Sequence, residues 1–338
     1  MANFQREKSL INNYLNKLEQ APSHAIESIF DEFVSDEFEC FAVYPFNQMS
    51  SKKEAIDKVW MPLHKAFCRL QRRQDIFMAG RNEYDGKVWV MSMGHFLGLF
   101  DRDWLNIRAT QKMTMLRYAE FFCIENDKIL KSGLFFDIIG FMQMVGMNPL
   151  PPTTGNYFVY PGPRKHNGIL TEVQSPEAGV KTLKLVEAMI DDLSTLNITA
   201  NDNYPPAILA KTWHEDMEWY GPAGIGASYT ITRYQQQHSY PFRQQLKDKK
   251  FNGHVCRIAE GEFACFFGWP NLTNTSTGGF LGLPGGSQPA DMRVADIYSR
   301  EDDKLKENWV LIDIPYWLKQ QGLDIIERTT SILNPIKQ

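Results

Sequence analysis

The chain has 338 residues, of which 43% are hydrophobic and 22% charged, a composition typical of a globular protein. Its formal net charge of −4 argues against nucleic acid as a partner, because nucleic-acid binding normally needs a basic surface. The N-terminus lacks the apolar core of a signal peptide, and no apolar run approaches the roughly 18 residues of a membrane span. Five cysteines without paired metal-ligand spacing favour reduced thiols, so we expect a cytoplasmic protein with no metal site and no membrane partner.

Helical periodicity opens the chain, and strand-like alternation follows it. Apolar residues keep helical spacing over 6–20 and 23–34, and a further helix is predicted over 51–70. Alternating runs then predict strands over 87–93, 114–124 and 128–136, with a hairpin turn at Asn126-Asp127. The first half is therefore predicted to be helices followed by an antiparallel meander.

The segment 148–179 is rich in proline and glycine and shows no sustained periodicity, so it is interpreted as a linker. Its residues 157–160 are too apolar for a free linker, and we expect them to dock onto one of the domains. The predicted division is a first domain over 1–148, a linker over 149–179 and a second domain over 180–338.

The second half repeats the first. Helices are predicted over 179–196, 205–213 and 228–247, followed by strands over 263–269, 292–298 and 304–312. Residues 117–147 match 293–323 without a gap at a constant offset of 176. Further upstream, Gly94 to Leu99 aligns with Gly278 to Leu283 at an offset of 184. The repeat predicts one α+β fold built twice, in which helices cover one concave sheet.

Several ordered motifs in the second half resemble a known family. They are Trp213 to Pro222, Gly278 to Pro284, Asp303 to Asp313 and Gln320 to Gly322. Together they are similar to the SnoaL-type polyketide cyclases of the nuclear transport factor 2-like superfamily. The resemblance implies two tandem cone-shaped α+β barrels with helices packed on a curved antiparallel sheet. The first half inherits it through the repeat and is more diverged, with Gly133 where the second half has Trp309.

The resemblance also implies ring closure by an aldol reaction, with no metal or organic cofactor. Such chemistry needs a carboxylate in an apolar cavity, where desolvation raises its pKa. Ketosteroid isomerase, which shares this fold, uses an Asp base with acidic hydrogen-bond donors. The family's strand-borne acid falls on Asp313 and, through the repeat, on Asp137. Both have apolar neighbours, but each could instead cap the helix predicted to follow it.

Other candidate residues lie on the neighbouring strands. Arg117 and Glu120 are three apart, as are Arg293 and Asp296, so one member of each pair should face the cavity and the other the outer side. An outward charge remains the alternative for each. We expect His95 in the first pocket, as a proton shuttle or a ligand for a substrate oxygen, or else as a hydrogen-bonded core residue. The second pocket is expected to be lined by Trp219, Tyr220, Trp269 and Trp309, with His254 or His238 nearby, unless these aromatics only fill the core.

Two hypotheses for function follow. The leading one is a SnoaL-like, cofactor-independent acid–base enzyme of cyclase or isomerase type, acting on a small hydrophobic carbonyl compound; hydrolysis or dehydration stays open. The alternative is a non-catalytic small-ligand-binding protein with one or both pockets degenerate. Gly133 in place of a Trp, and Gly279 in place of His95, favour this alternative. We also expect a homo-oligomer or an intramolecular pseudo-dimer in which the two sheets pack together.

Overall fold

The first half consists of helices followed by a six-stranded sheet, in a computed structural model that describes residues 3–199 and 202–333. The sheet order is β2-β1-β6-β5-β4-β3, with β1 and β6 parallel and the other neighbours antiparallel. The elements are α1 (Gln5–Gln20), α2 (Ile26–Phe33), β1 (Val34–Ala42), β2 (Gln48–Met49), α3 (Lys52–Ala55), a π-helical turn (Ile56–Trp60), α4 (Met61–Ala66), β3 (Phe67–Arg81), β4 (Val88–Phe100), β5 (Met113–Glu125), β6 (Lys128–Phe136) and α5 (Ile138–Met144).

The second half has a similar order of elements, with β9 and β10 in place of the single strand β3 and one more helix at its end. Its sheet runs β10-β11-β12-β13-β7-β8, with β9 also paired to β11, and β13 and β7 are parallel. The elements are α6 (Pro176–Ile198), α7 (Pro206–Leu209), β7 (Trp213–Tyr220), β8 (Ala227–Tyr229), α8 (Ile231–Tyr234), a π-helical turn (Gln235–Ser239), α9 (Tyr240–Gln245), β9 (Leu246–Phe251), β10 (Cys256–Glu260), β11 (Phe263–Ser276), β12 (Ala290–Glu301), β13 (Lys304–Ile312), α10 (Ile314–Gln320) and α11 (Ile325–Leu333). No helix among the described residues is both long and apolar enough to cross a membrane.

The predicted fold class, two tandem α+β barrels with helices on a curved sheet, is confirmed. The pairing of strands also supports the gapless part of the repeat. Gly133 of β6 lies opposite Phe41 of β1, and its repeat partner, Trp309 of β13, lies opposite Tyr220 of β7, the strand that corresponds to β1. Each half even carries a π-helical turn between two short α-helices at the same place. The amphipathic helices form as predicted. In α1, for example, the buried Ile11, Tyr14, Leu15 and Leu18 form one apolar stripe.

One part of the predicted repeat is wrong. Residues 278–283 are not a strand but a turn, in which Gly278, Gly279 and Gly282 have positive φ and Phe280–Gly282 forms a short 3₁₀-helix. The true counterpart of the Gly94 region lies in β11. Phe96 pairs with Leu116 and Leu272 pairs with Met292, and Leu116 and Met292 are repeat partners. Gly279 is therefore not the counterpart of His95.

The observed bounds differ most from the predicted ones near strands that lack a clear alternating pattern in the sequence. The helix predicted over 51–70 ends at Ala66, and β3 begins directly after it. Strand β3 carries Arg69, Arg72 and Arg73, and this polar composition conceals its alternation. In the second half, α6 begins at Pro176, inside the predicted linker, and α7 stops at Leu209 before β7.

The predicted linker packs against both halves. Residues 145–175 contain no helix or extended strand, but Phe77 exchanges backbone hydrogen bonds with this segment, donating to Gly168 O and accepting from Leu170 N. Tyr160 is buried, with its ring 5.2 Å from that of Tyr220. In the predicted docking segment, Tyr157 and Tyr160 pack inward, whereas Phe158 and Val159 are exposed.

The two halves pack through the outer faces of their sheets in a pseudo-symmetric way. Asp137 Oδ2 accepts a hydrogen bond from Ala223 N at 2.9 Å, and Asp313 Oδ2 accepts one from Tyr44 N at 2.8 Å. Each acid thus reaches the loop after the first strand of the opposite half. The match is not perfect: the ring of Phe267 fills the space beside Gly133, 2.9 Å from where a Cβ would lie. The two halves therefore contact each other through related but not identical surfaces.

Candidate active site

A cavity of about 210 Å³ lies in the second half, between helices α6, α8 and α9 and the concave face of the sheet. At ~30 Å³ per water, it holds the volume of roughly seven water molecules, which suits a small ligand. Its wall is largely apolar and aromatic, and its polar groups come from Tyr234, His238, His254, Asn271, Asp296, Tyr298 and Asn308. An apolar pocket with a few convergent polar groups is the usual form of a small-molecule site.

Asp296 is the carboxylate of this cavity. On β12 the side chains of Val294, Asp296 and Tyr298 point inward, whereas Arg293 points to the other half, as the strand alternation predicts. Burial raises the pKa of Asp296 to about 7, and hydrogen bonds from Asn308 and Tyr298 partly oppose this rise. Asn308 Nδ2 donates to Asp296 Oδ1 at 3.2 Å. Among the described residues no cation pairs with Asp296, so its proton is available near neutral pH.

Two histidines in the cavity wall are neutral. His238 lies in the π-helical turn and stacks on Trp219 with ring centroids 4.1 Å apart, and burial lowers its pKa to about 3. Its Nδ1 is buried without a hydrogen-bond partner among the described residues. His254 stacks on Phe266 at 4.0 Å, and burial, with the nearby Arg257 charge, lowers its pKa to about 3. Both rings can donate or accept a hydrogen bond, but neither carries a positive charge near pH 7.

The corresponding space in the first half is closed. Glu120, the repeat counterpart of Asp296, forms a buried ion pair with Arg72, and the remaining cavity there is about 10 Å³. The Arg72 guanidinium also packs on the rings of Phe96 and Tyr118, 4.4 and 4.7 Å from their centroids. In the second half Phe251 takes the ladder position of Arg72, since Arg72 pairs with Phe96 and Phe251 with Leu272. The Arg72 side chain thus fills the space in the first half and neutralises Glu120 there. The second half has Phe251 at this position, and its cavity stays open.

Asp313 and Asp137, the predicted bases, do not line the cavity of either half. Each caps the helix that follows it: Asp137 Oδ1 accepts from Gly140 N at 3.0 Å, and Asp313 Oδ1 accepts from Tyr316 N at 3.2 Å. Burial raises the pKa of Asp313 to about 6, and Arg293, 3.2 Å away, opposes the rise. Both acids are buried because the other half covers them. Their contacts are those of helix-capping residues, the alternative raised from the sequence. Their position does not support a role as catalytic bases.

Asp313→Asn is therefore expected to weaken folding rather than catalysis. The amide would place an N–H group against Tyr44 N and the Arg293 guanidinium, leaving a buried charge without its partner. We expect the free energy of unfolding to fall by about 3 kcal/mol. Chemical denaturation measures this change, and a small ligand's affinity for the cavity should remain within twofold. Unchanged stability with lost binding would contradict this structural role.

The other predicted residues divide between the cavity and the interface between halves. Trp219, His254 and Asp296 line the cavity. Arg117 instead donates to Tyr220 O and Val310 O, both at 3.1 Å. Arg293 lies between the rings of Trp269 and Tyr316, 3.8 and 3.4 Å from their centroids. The residues predicted for the pocket but found at the interface or on the outer face are Arg117, Arg293, Tyr220, Trp269, Trp309 and His95.

His95 and Trp309 lie outside the cavities for the same reason. His95 shares a rung with Arg117, so it occupies the outer face, with Nδ1 3.2 Å from Asp75 Oδ2. Trp309 stacks on Tyr220 and donates through Nε1 to Pro161 O at 2.9 Å. Asn308, which the sequence analysis did not single out, faces the cavity. It precedes Trp309 on β13, and consecutive side chains of a strand point to opposite faces. Strand parity was the available signal: a face that carries Trp309 cannot also carry Asn308.

No protein-family model and no curated protein matches this chain. Solved structures that match include TsrD from Streptomyces laurentii, at 17% identity and a TM-score of 0.34, covering 41% of this chain and 96% of that one. A protein described as a SnoaL-like polyketide cyclase from Jannaschia sp. matches at 15% identity and 0.33, covering 44% and 94%. An NTF2-like protein from Burkholderia xenovorans matches at 11% and 0.31, covering 42% and 97%. At these values, the function of this chain rests on its own side chains.

Proposed function

We propose that the second half is a cofactor-independent acid–base catalyst acting on a small hydrophobic carbonyl compound, with Asp296 as the base. The observation that supports this most directly is a carboxyl group with a pKa of about 7, unpaired with any described cation, in an apolar cavity. A base whose pKa lies near the working pH combines the deprotonated form with a useful driving force for proton transfer. The first half would serve as a scaffold, since Arg72 occupies its cavity.

The chemistry can be written with Asp296 alone exchanging protons. Its carboxylate removes a proton from the carbon next to the carbonyl group, and the electron pair moves onto the carbonyl oxygen to give an enolate. In a β,γ-unsaturated ketone this electron pair is shared with the γ carbon, and the protonated Asp296 returns the proton there, which completes an isomerisation to the α,β-unsaturated ketone. In a substrate with a second carbonyl group, the enolate carbon attacks that group, and Asp296 protonates the new alkoxide to complete an aldol cyclisation. In both cases the carboxyl group ends as it began.

Ligand binding without turnover is the second candidate. The observation that favours it is that His238 and His254 both have pKa values of about 3, so neither supplies a second proton-transfer group near neutral pH. The polar groups of the wall would then only orient a bound molecule.

Hydrogen exchange discriminates between the two. Small cyclic ketones and 1,3-diketones would be incubated with the protein in deuterium oxide, and loss of the α-proton signals followed by NMR. A base in the cavity should accelerate exchange above the protein-free rate for at least one compound that binds. Saturable binding with no acceleration for any bound compound would favour the binding protein.

The pH dependence of exchange should identify Asp296. Activity requires the carboxylate, so the rate should rise with pH through about 7 and level off above it. The hydrogen bond from Asn308 lowers the pKa of Asp296, so Asn308→Leu should move the midpoint to higher pH. Ser132→Ala is the matched control, because Ser132 is the repeat counterpart of Asn308 and lines the closed first half. A midpoint that Asn308→Leu leaves unchanged would exclude Asp296 as the titrating group.

A further inference from the structure

A turn of the first half packs against residues 255–257 of the second half, next to His254 in the cavity wall. Asn82 of this turn is buried, its Nδ2 donates to Val255 O at 3.0 Å, and its Oδ1 accepts from Arg257 N at 3.0 Å. The neighbouring Glu83 lies 3.5 Å from Arg257 Nη1. The turn therefore fixes the backbone of residues 255–257 and helps to hold the Arg257 guanidinium.

The guanidinium in turn determines which nitrogen of His254 carries the proton. Arg257 Nη2 and Nε lie 3.1 and 3.4 Å from His254 Nδ1, and the Tyr84 hydroxyl lies 3.4 Å from the same atom. Arginine only donates, so Nδ1 must accept. The ring is neutral because burial and the Arg257 charge lower its pKa to about 3. The single proton of the imidazole therefore resides on Nε2.

His254 lines the same cavity as Asp296. Its ring stacks on Phe266, and Phe266 pairs with Asp296 across β11 and β12. All three side chains line the same cavity. A neutral imidazole is a suitable donor to a carbonyl or enolate oxygen, because it polarises the oxygen without protonating it outright.

We propose that Arg257, held by the first half's turn Asn82–Tyr84, is a positioning residue that fixes His254 as an Nε2–H donor to the substrate's oxygen. The proposal rests on the proposed function, and it gives the first half a direct part in the site. Tyr84 contributes through the Arg257 guanidinium, which lies 5.5 Å from its ring centroid. The substrate class it implies carries a ketone oxygen that becomes an enolate oxygen during the reaction.

The first test reads the tautomer directly. Imidazole ¹⁵N signals of His254 should show hydrogen on Nε2 in the full-length protein. Arg257→Met removes the donors and should produce a mixture of tautomers, whereas Arg257→Lys retains a donor and should restore the Nε2–H form. A His254 that carries its proton on Nδ1, or that is insensitive to Arg257→Met in a folded variant, would overturn the proposal.

The second test measures the donor with 2-naphthol, whose neutral hydroxyl oxygen stands in for an enol oxygen, followed by its fluorescence below the pKa of Asp296. His254→Leu should weaken naphthol binding by roughly two- to tenfold, the scale of a hydrogen bond between neutral groups. Arg257→Met should weaken it less, with Arg257→Lys near wild type. Equal affinity in wild type and His254→Leu would overturn the proposal.

Asp296→Asn separates the two proposals. This variant should still bind naphthol, because the donor on His254 remains. If ketone exchange persists in Asp296→Asn while His254→Leu loses naphthol binding, the proposed base is wrong and the donor assignment stands. If exchange is lost in Asp296→Asn while His254→Leu binds naphthol normally, the base stands and the donor assignment fails.

Discussion

Asp296→Asn should lower the rate of ketone α-proton exchange by at least ~100-fold, the smaller end of what a positioned general base contributes. The amide has nearly the same shape and keeps an oxygen acceptor for Asn308, so the cavity should stay intact. It cannot accept the proton. Exchange kinetics in deuterium oxide at saturating ketone measure the effect on the chemical step.

Stability provides an independent measurement on the same variant. The pKa of Asp296 is raised from 3.8 to about 7 in the folded chain. Below pH 3.8 the carboxyl group is protonated in both the folded and the unfolded chain, so its ionisation does not change the free energy of unfolding. As the pH rises from 3.8 to about 7, the unfolded chain ionises while the folded one does not, and stability is lost. Asp296→Asn lacks this penalty. Its free energy of unfolding relative to wild type should therefore increase over this interval and stay constant above it.

The matched control is Asp302→Asn, the same substitution in the exposed turn between β12 and β13. It should leave exchange and its pH dependence as in wild type. A pH-independent stability difference between Asp296→Asn and wild type would mean that the carboxyl group is solvated, and it would remove the basis for a base near neutral pH.

Arg72→Leu should lower the free energy of unfolding by about 3–5 kcal/mol, the typical effect of breaking a buried ion pair. Glu120 would remain in an apolar site without its partner. Burial already raises its pKa, and Arg72 is the charge that opposes the rise. Urea denaturation at neutral pH measures the loss, which should shrink at acidic pH as Glu120 becomes protonated.

The double variant Arg72→Leu/Glu120→Leu should recover most of this loss, because an apolar pair of similar volume often replaces a buried ion pair at little cost. The second half's cavity shares no residue with this pair. Exchange by the folded variants should therefore be as in wild type. A double variant as unstable as Arg72→Leu alone would show that the guanidinium acts by filling space over Phe96 and Tyr118 rather than by pairing.

The hairpins were the most predictable part of the fold. Strands β6 and β13 were predicted at their observed bounds, because Lys128 and Lys304 each follow a recognisable turn and long alternating runs. Such patterns are local. The letters Gly-x-Phe-x-Gly at 278–282 resemble those at 94–98, but positive φ values bend the second copy into a turn. Similar sequences at 94–98 and 278–282 therefore adopt different backbone conformations, because the surrounding strands also determine the conformation.

The site was harder to predict because both faces of each sheet are buried. Alternation assigned Asp296 and Arg293 to opposite faces, and this was right, but it did not say which face encloses the cavity. Asp313 has apolar neighbours because it is covered by the other half, and it therefore looked like a pocket acid. The ion pair of Arg72 with Glu120 joins residues 48 apart, and no pattern along the chain indicates it.

Gly133 and Phe267 favour pairing of the first half with the second half over pairing of two second halves. In an association of two second halves, Trp309 of one copy would take the place of Gly133 and collide with the ring of Phe267 from the other. The indole and the phenyl ring cannot share that volume without displacing a strand. The packing surfaces of the two halves therefore differ, and pairing of two second halves in this arrangement is sterically disfavoured.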